Sequence, residues 1–503
     1  MNSFFRILFK SIIFMAGCLL SVSLYARDKD NTEKVVTNWK PITTNHKNTD
    51  NDSPDSLEYI LQKIELKGNH KTIDQVILRN IALTPGERFF AYDERLEKIR
   101  YKLMALGLFS SIDLSFKKGS AKGTVILVVT VVERNTIVVR DVSFGLTRIS
   151  PNWDNVIPFG SIAIEDRSFL GSSVTVGGEI AGSKDQIAYR LYMSDDHFLN
   201  TNFGFHAEGI FAQAQEYFGE HYIHPPAPEA VSGAYEKARY RRAGLKIGTG
   251  YNICRNIFFW IDWRFENILA EQPQLVDAED LPAIPESQTP DVGYLEPDAS
   301  ILSGFLLGVK RDTTNHPVLP FAGSRSQISI ELSNAVFGSS YNFAKFIMNH
   351  NFFIPFGKTG QSISFGGTAG LITGNAPFFE QFFVGDFSSL APDRKLGLNF
   401  SNLHPKILNT SIDEMWYEDL VLSVNTEYSF PFYRGSSTVY GVNGFIRFGV
   451  YSLTSTSKID APGVPIDITG DLGIRVDTAV GVFTLSFANI LQLIPPVRKE
   501  TTQ

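Results

Sequence analysis

The spacing of apolar positions changes at about residue 137. From there on, apolar and polar side chains alternate one by one. Over 324–333, Ser326, Ile328, Ile330 and Leu332 share one face, and Arg325, Gln327, Ser329 and Glu331 the other. Over 420–430, Leu420, Leu422, Val424, Tyr428 and Phe430 oppose Ser423, Asn425, Glu427 and Ser429. Over 467–477, Ile468, Leu472, Ile474 and Val476 oppose Thr469, Asp471, Arg475 and Asp477. Successive side chains of a strand point to opposite faces, so each run is a strand with one apolar and one polar side. A soluble sandwich shows this pattern, and so does a membrane barrel with lipid outside and water within. The connections separate the two. Short joins at 166–172, 195–201, 254–256, 313–323, 356–360, 433–436 and 477–481 alternate with long ones at 215–236, 271–298, 372–418 and 453–465. Short periplasmic turns and long outer loops are the habit of outer-membrane barrels, and a sheet in lipid must close to pair its backbone. The predicted fold is therefore membrane all-β: an antiparallel transmembrane β-barrel of about 15–16 strands over 136–492.

Ahead of the barrel the period differs. Residues 57–135 read as a small α/β domain in the order β-α-α-β-β. Strands are predicted over 61–66, 111–116 and 124–132, and helices over 72–80 and 92–106. The second helix is marked by Leu96, Ile99, Leu103 and Leu106 and ends at Gly107. Residues 1–26 read as a signal peptide: Arg6 and Lys10, then an apolar run over 11–24 that is shorter than the ~20 residues a membrane helix takes. Met15-Ala16-Gly17-Cys18 is a weak lipobox. Residues 27–56, rich in Asn, Thr, Asp and Lys, are expected to be a disordered linker, and 493–503 a tail.

Composition narrows the function classes. Forty Phe and eighteen Tyr suit aromatic girdles at two membrane interfaces. A charged fraction of 20% excludes a helical membrane bundle. A net charge of −7 with no basic stripe argues against a nucleic-acid partner. Cys18 lies in the leader, which leaves Cys254 as a lone thiol. The chain has no G-x-S-x-G, H-E-x-x-H or paired-Cys motif, so neither an enzyme nor a metal or cofactor site is expected. His221 and His224 are read as loop residues, and Asp195-Asp196-His197 as a periplasmic turn rather than a protease site. The eight acids of 271–298, without a Lys or Arg, are read as a solvated outer loop.

The segment 372–418 is too long for a hairpin, and loops of this length are functional or disordered. It carries Phe378, Phe379, Phe382 and Phe383 ahead of a charged stretch ending at Arg394. A loop with its own apolar side chains folds onto something, and here it is predicted to enter the lumen.

Several motifs carry a family resemblance. Ile64-Glu65-Leu66-Lys67-Gly68-Asn69, Leu83-Thr84-Pro85-Gly86-Glu87 and Leu106-Gly107-Leu108-Phe109 resemble a POTRA domain. Asp166-Arg167-Ser168-Phe169-Leu170-Gly171, the stretch from Arg311-Asp312 to Gly323, and Gly473-Ile474-Arg475-Val476-Asp477-Thr478 resemble the turns of the BamA/TamA outer-membrane assembly superfamily, with its surface-antigen barrel. The resemblance spans residue 57 to about 490. It implies sixteen strands and a loop six latched in the lumen by an Arg to an Asp of strand thirteen. Here Val384, Gly385, Ser389 and Leu390 match, but Ala391-Pro392-Asp393 replaces Arg-Gly-Tyr, and Phe445-Ile446-Arg447-Phe448-Gly449 carries a base where an acid is expected. We therefore expect a reversed pair: Asp393 or Asp386, flanked by Arg394, against Arg447, which faces inward with Asn443. The alternative is that Arg447 pairs on the wall with Glu427, Asp471 or Glu331, and the loop is a plain plug. About fifteen strands are countable, and Pro495 and Pro496 of the tail are unsuited to a sixteenth.

The resemblance implies an outer-membrane assembly or translocation factor acting without cofactors. Its partners would be unfolded outer-membrane or secreted polypeptides and the lipid bilayer, with periplasmic chaperones or lipoproteins as accessories. The POTRA edge strand, Ser111, Ile112, Asp113, Leu114, Ser115 and Phe116, would bind the client by strand addition. The alternatives are a secretion pore dedicated to one partner and a passive surface-exposed barrel.

Overall fold

The computed structural model describes residues 58–90, 93–148, 156–218, 235–254, 256–271, 274–276, 295, 298–315, 319–357, 360–383, 394–400, 417–435, 438–456 and 466–488. The expected signal peptide, linker and tail, and His221 and His224, lie outside these residues.

The N-terminal domain contains β1 (Glu58–Lys67), α1 (Asp74–Leu78), β2 (Arg88–Phe90), α2 (Glu94–Ala105), β3 (Phe109–Lys118) and β4 (Thr124–Glu133). The strand order is β2-β1-β4-β3, with β1 and β4 parallel. Both helices lay apolar residues on this sheet: Val76, Ile77, Ile99 and Leu103 join Leu61, Phe89, Leu127 and Val129 in a buried core. Asp93 caps α2 by accepting from the Arg95 N–H at 2.9 Å. The expected order gains one strand, β2, whose three residues carry no readable period. β3 spans the expected 111–116 and lies at the sheet's edge.

The barrel strands are β5 (Ile137–Arg148), β6 (Val156–Phe169), β7 (Val174–Ser183), β8 (Gln186–Asp195), β9 (Phe203–Phe218), β10 (Tyr235–Cys254), β11 (Ile257–Ala270), β12 (Gln274–Val276), β13 (Asp298–Asp312), β14 (Gly323–Ser333), β15 (Asn342–Phe356) and β16 (Gln361–Asn375). Four two-residue strands follow: β17 (Phe382–Phe383), β18 (Arg394–Lys395), β19 (Leu398–Asn399) and β20 (Tyr417–Glu418). The wall resumes with β21 (Leu420–Arg434), β22 (Val439–Thr454), β23 (Asp467–Thr478) and β24 (Gly481–Ala488). Leaving aside the short β12, the fifteen described wall strands close on themselves through β10–β11 and β24–β5.

The two faces of the wall decide between barrel and sandwich. Leu191 is 70% exposed, Leu485 66% and Val424 53%, whereas Glu331, Glu427 and Asp471 are buried. Apolar side chains cover the outside and charged ones line the inside, the reverse of a soluble fold. With an odd number of alternating strands the first and last run the same way. The seam is accordingly parallel, and β24 meets β5 at one register position, Gly481 with Val139. The wall is antiparallel, as expected, everywhere except at that one seam position.

Candidate functional site

The described residues between β16 and β21 pack inside the lumen. After β16 a 3-10 turn, Phe378–Glu380, drops Phe378, Phe379, Phe382 and Phe383 into a buried cluster with Tyr240, Phe343, Tyr417 and Leu453. The facing wall of β7 to β10 presents Ala181, Ala188, Ala212, Ala214 and Ala238, side chains small enough to leave room for these rings. Tyr240 stacks on Phe379 at 5.6 Å and meets Phe378 edge-on at 5.4 Å.

Glu380 lies in the middle of this apolar run and is buried. Its carboxylate accepts from Arg264 Nη2 at 2.6 Å and from Lys345 Nζ at 3.2 Å. Arg242 Nη2 lies 3.7 Å away and its guanidinium sits 4.0 Å over the Phe379 ring. Lys345 also donates to the Glu380 backbone carbonyl at 2.6 Å. The bases are themselves shared: Arg242 and Arg264 both bond Glu266, and Arg264 bonds Glu331 at 2.7 Å. Three cations from β10, β11 and β15 thus meet three carboxylates, one of them from the plug. A buried charge is tolerable only when it is matched and hydrogen-bonded in this way.

The far end of the plug is fixed separately. β18 and β19 form a hairpin whose turn, Leu396-Gly397, has φ of 52° and 81°, the left-handed pair of a type I′ turn. Lys395 reaches Asp141 on β5. Asn399 and the Tyr417 hydroxyl both donate to the buried Glu216 on β9, at 2.7 and 2.8 Å. Phe400 stacks on Phe159 at 4.7 Å. Between plug and wall remains a cavity of about 670 Å³, lined by both signs of charge, including Arg140, Glu179, Lys246 and Lys395.

Val384, Gly385, Asp386 and Asp393 lie outside the described residues, and Arg394 is placed only by its backbone, at the start of β18. Arg447 donates to Glu427 at 2.7 and 2.9 Å, a wall partner weighed above, and Arg475 bonds the same carboxylate at 2.7 Å. Asn443 accepts from Arg434 at 2.6 Å and donates to Ser429 at 3.3 Å. The sequence reading missed Glu380, Arg242, Arg264, Lys345 and Glu216. The available signal was one acid between two phenylalanine pairs.

A model of the Omp85 superfamily domain matches residues 165–500, and a POTRA model described as "Surface antigen variable number repeat" matches 59–134. The chain belongs to the Omp85 superfamily. Its barrel sits in the outer membrane, with the POTRA domain on the periplasmic side. Over 172 residues this Omp85 chain is 26% identical to a putative outer membrane protein assembly factor of Treponema pallidum, a stretch covering 33% of this chain and 20% of that protein. CdiB from Escherichia coli shares its fold, with a TM-score of 0.52 at 11% identity over 88% of this chain and 74% of that one. BamA from Haemophilus ducreyi lacking POTRA domains 1–3 gives 0.45 at 15% identity, over 88% and 82%.

The joint between the POTRA domain and this Omp85 barrel is specific. Arg134, next to the end of β4, pairs with Asp477 of β23 at 3.0 Å, and both side chains are buried. Its guanidinium lies 3.9 Å over the Tyr440 ring. Asn135 donates to the Ala479 carbonyl at 3.2 Å, and the Val139 N–H to that of Val480 at 2.7 Å. The Ile73 N–H donates to the Gly171 carbonyl of the β6–β7 turn at 3.1 Å. Only glycine fits there: φ is +76° and a Cβ would lie 2.0 Å from the Lys71 carbonyl. Glu133 holds the POTRA side of this contact by accepting from the N–H groups of His70, Lys71 and Thr72. Burial raises the Glu133 carboxyl, and these backbone donors outweigh it, so its pKa stands below the usual value. In the β8–β9 turn Asp195 accepts from the His197 N–H at 2.8 Å and Asp196 pairs with Lys310 at 3.0 Å, so both carboxylates hold turn structure.

Proposed function

We propose that this chain receives unfolded polypeptides in the periplasm through its POTRA domain and passes them into or across the outer membrane by way of its barrel. The observation that carries the reading is β3. It pairs with β4 alone among the described strands, so its outer edge offers backbone donors and acceptors to an incoming strand. Such pairing reads backbone rather than sequence. The barrel contributes a plug held by charges and a seam joined at one register position, the places where it would open. No chemical reaction is needed; folding of the client drives insertion.

Depletion of the protein followed by measurement of the outer-membrane proteome tests this. Broad loss of barrel proteins is expected. Loss of one secreted protein identifies a dedicated secretion pore, and an unchanged proteome identifies a passive barrel and removes the proposal. A photo-crosslinker at Asp113, exposed on β3, should capture client chains, while one at Tyr101, exposed on α2, should not.

A further inference from the structure

The connection between β14 and β15 lies at the end of the barrel away from the POTRA domain, because the strands alternate onward from the β6–β7 turn that the Ile73 N–H bonds. It does not continue the wall upward. β14 stops at Ser333, opposite Gly304 of β13. Beyond that point the β15 side takes over the pairing. The Ser340 N–H donates to the Ile301 carbonyl at 2.7 Å, and Ser340 Oγ accepts from the Ile301 N–H at 3.1 Å. Residues 334–338 are thereby pushed off the wall, as a 3-10 turn over Ala335–Phe337 capped by Asn334. They go outward. The Phe337 ring meets that of Phe305 edge-on at 5.1 Å. Phe305 has the parity of Val309 and pairs across strands with Leu332, and both of these are exposed on the lipid-facing side. Val336, in the middle of the turn, is 86% exposed.

Height and backbone both fit this tip for hydrocarbon rather than water. Val309 and Ile328 are the first apolar outward pair above the periplasmic hairpin of β13 and β14. Phe305 lies four residues further along β13. At ~3.3 Å per residue and a tilt of ~40° that is roughly 10 Å, well inside an apolar band ~25 Å tall. Irregular chain exposed to lipid is excluded unless its polar groups are paired within the protein. Every N–H from Ala335 to Tyr341 is so paired. Ala335 donates to Asn342 Oδ1 at 3.0 Å and Val336 to Asn334 Oδ1 at 2.9 Å. Phe337 and Ser339 donate to the Asn334 carbonyl at 2.9 and 3.2 Å, Gly338 to that of Ala335 at 3.0 Å, and Ser340 to that of Ile301. Tyr341 donates to Ser339 Oγ at 3.1 Å. A loop in water has no need of this. No Asp, Glu, Lys or Arg occurs from Leu332 to Ala344, whereas the outer connection 271–298 carries eight acids.

We propose that the tip of the β14–β15 hairpin, Val336 and Phe337, is seated among the acyl chains of the outer leaflet instead of projecting into the medium. The occupant of this surface is lipid, because the tip is apolar, uncharged and continuous with the lipid-facing side chains Phe305, Leu332 and Ile330. The bonds of Ser340 to Ile301 hold its base against the wall. It is therefore a fixed wedge, and it sets how deep the wall at β13 to β15 stands in the membrane whatever the barrel transports.

The test is spin-label accessibility in phosphatidylcholine liposomes, on the full-length protein with its own cysteines replaced by serine. Labels go on Val336→Cys, on Leu191→Cys as the lipid-facing reference, and on Lys184→Cys in the exposed β7–β8 turn as the aqueous one. Relaxation at 336 by oxygen, which partitions into lipid, should exceed that by a water-soluble nickel chelate several-fold. Position 191 should behave alike, and 184 should show the reverse order. Nickel access at 336 equal to that at 184 would overturn the proposal by placing the tip in water. So would access by neither reagent, which marks a tip covered by protein. Should Val336→Cys fail to fold, a phospholipid with a photoactivatable acyl chain decides on the parent protein: labels within 335–338 support the site, and labels confined elsewhere remove it.

Discussion

Glu380 is the most consequential single residue in the lumen. It brings the plug's charge to Arg264, Lys345 and Arg242, and removing one member of a buried, matched cluster leaves the others uncompensated. Breaking such a set costs about 3–5 kcal/mol. Glu380→Ala should lower the temperature at which the folded barrel loses its compact mobility on gels, and open the plug to protease. An unchanged transition would show that the aromatic cluster alone holds the plug. Glu133 predicts a pH dependence. Its pKa is depressed in the folded state, so its stabilisation is full above the unfolded value of about 4.3 and is lost as pH falls through the folded value. Hydrogen exchange over 69–75, corrected for intrinsic rates, should quicken below pH ~4.3 in the parent. In Glu133→Gln it should be fast throughout. The same rate in both proteins at neutral pH would refute this. The sequence showed that a plug should exist, because four phenylalanines in a loop must be buried. It did not reveal the plug's partner. Arg264 is 116 residues from Glu380, and only closure of the barrel makes them neighbours. The family pattern also drew attention to Asp386, Asp393 and Arg447, while the described charge lies earlier in the loop.

At the scale of elements, period-two alternation marked the runs 324–333, 420–430 and 467–477, which fall in β14, β21 and β23, because a wall between lipid and water forces it; the joins between β5 and β6, β7 and β8, and β14 and β15 carried no such signal. The short β2 and β12 went unread, since three residues hold no period. The weakest element is the seam. Its one ladder position depends on Gly481, with φ +149°, where a Cβ would stand 2.1 Å from the Val139 carbonyl. Gly481→Ala should therefore part β24 from β5 at their periplasmic end. In planar bilayers the variant is expected to show larger and more frequent conductance steps than the parent, with Gly360→Ala as a control, since Gly360 lies at a hairpin far from the seam. Equal conductance in all three would mean that the seam closes through contacts other than this one.

Among the described residues the POTRA domain and the barrel meet through residues 134–139, and the mechanics of the pair depend on that joint. Its existence was legible, since the period changes there, but its geometry was not: Asp477 read as a family turn residue, and its partner lies 343 positions earlier. The joint puts the POTRA domain in direct contact with the hairpin of β23 and β24, beside the seam. Arg134 bonds Asp477, Asn135 bonds Ala479, and Val139 bonds Val480, so the same short segment ties the domain and flanks the closing strands. A pull on the POTRA domain is therefore transmitted to the seam rather than lost in a slack tether. Arg134→Ala takes from the buried Asp477 its hydrogen-bonded partner, a loss of up to about 3–5 kcal/mol, and frees the domain. Spin labels at Tyr101 and at the β15–β16 hairpin should then give a broad distance distribution where the parent gives a narrow one. The exchanged pair, Arg134→Asp with Asp477→Arg, should restore much of the narrow distribution, because the two side chains meet chiefly through charge. A variant as narrow as the parent would show that the Ile73–Gly171 contact fixes the domain by itself. The seam would then be coupled to the POTRA domain through the β6–β7 turn instead.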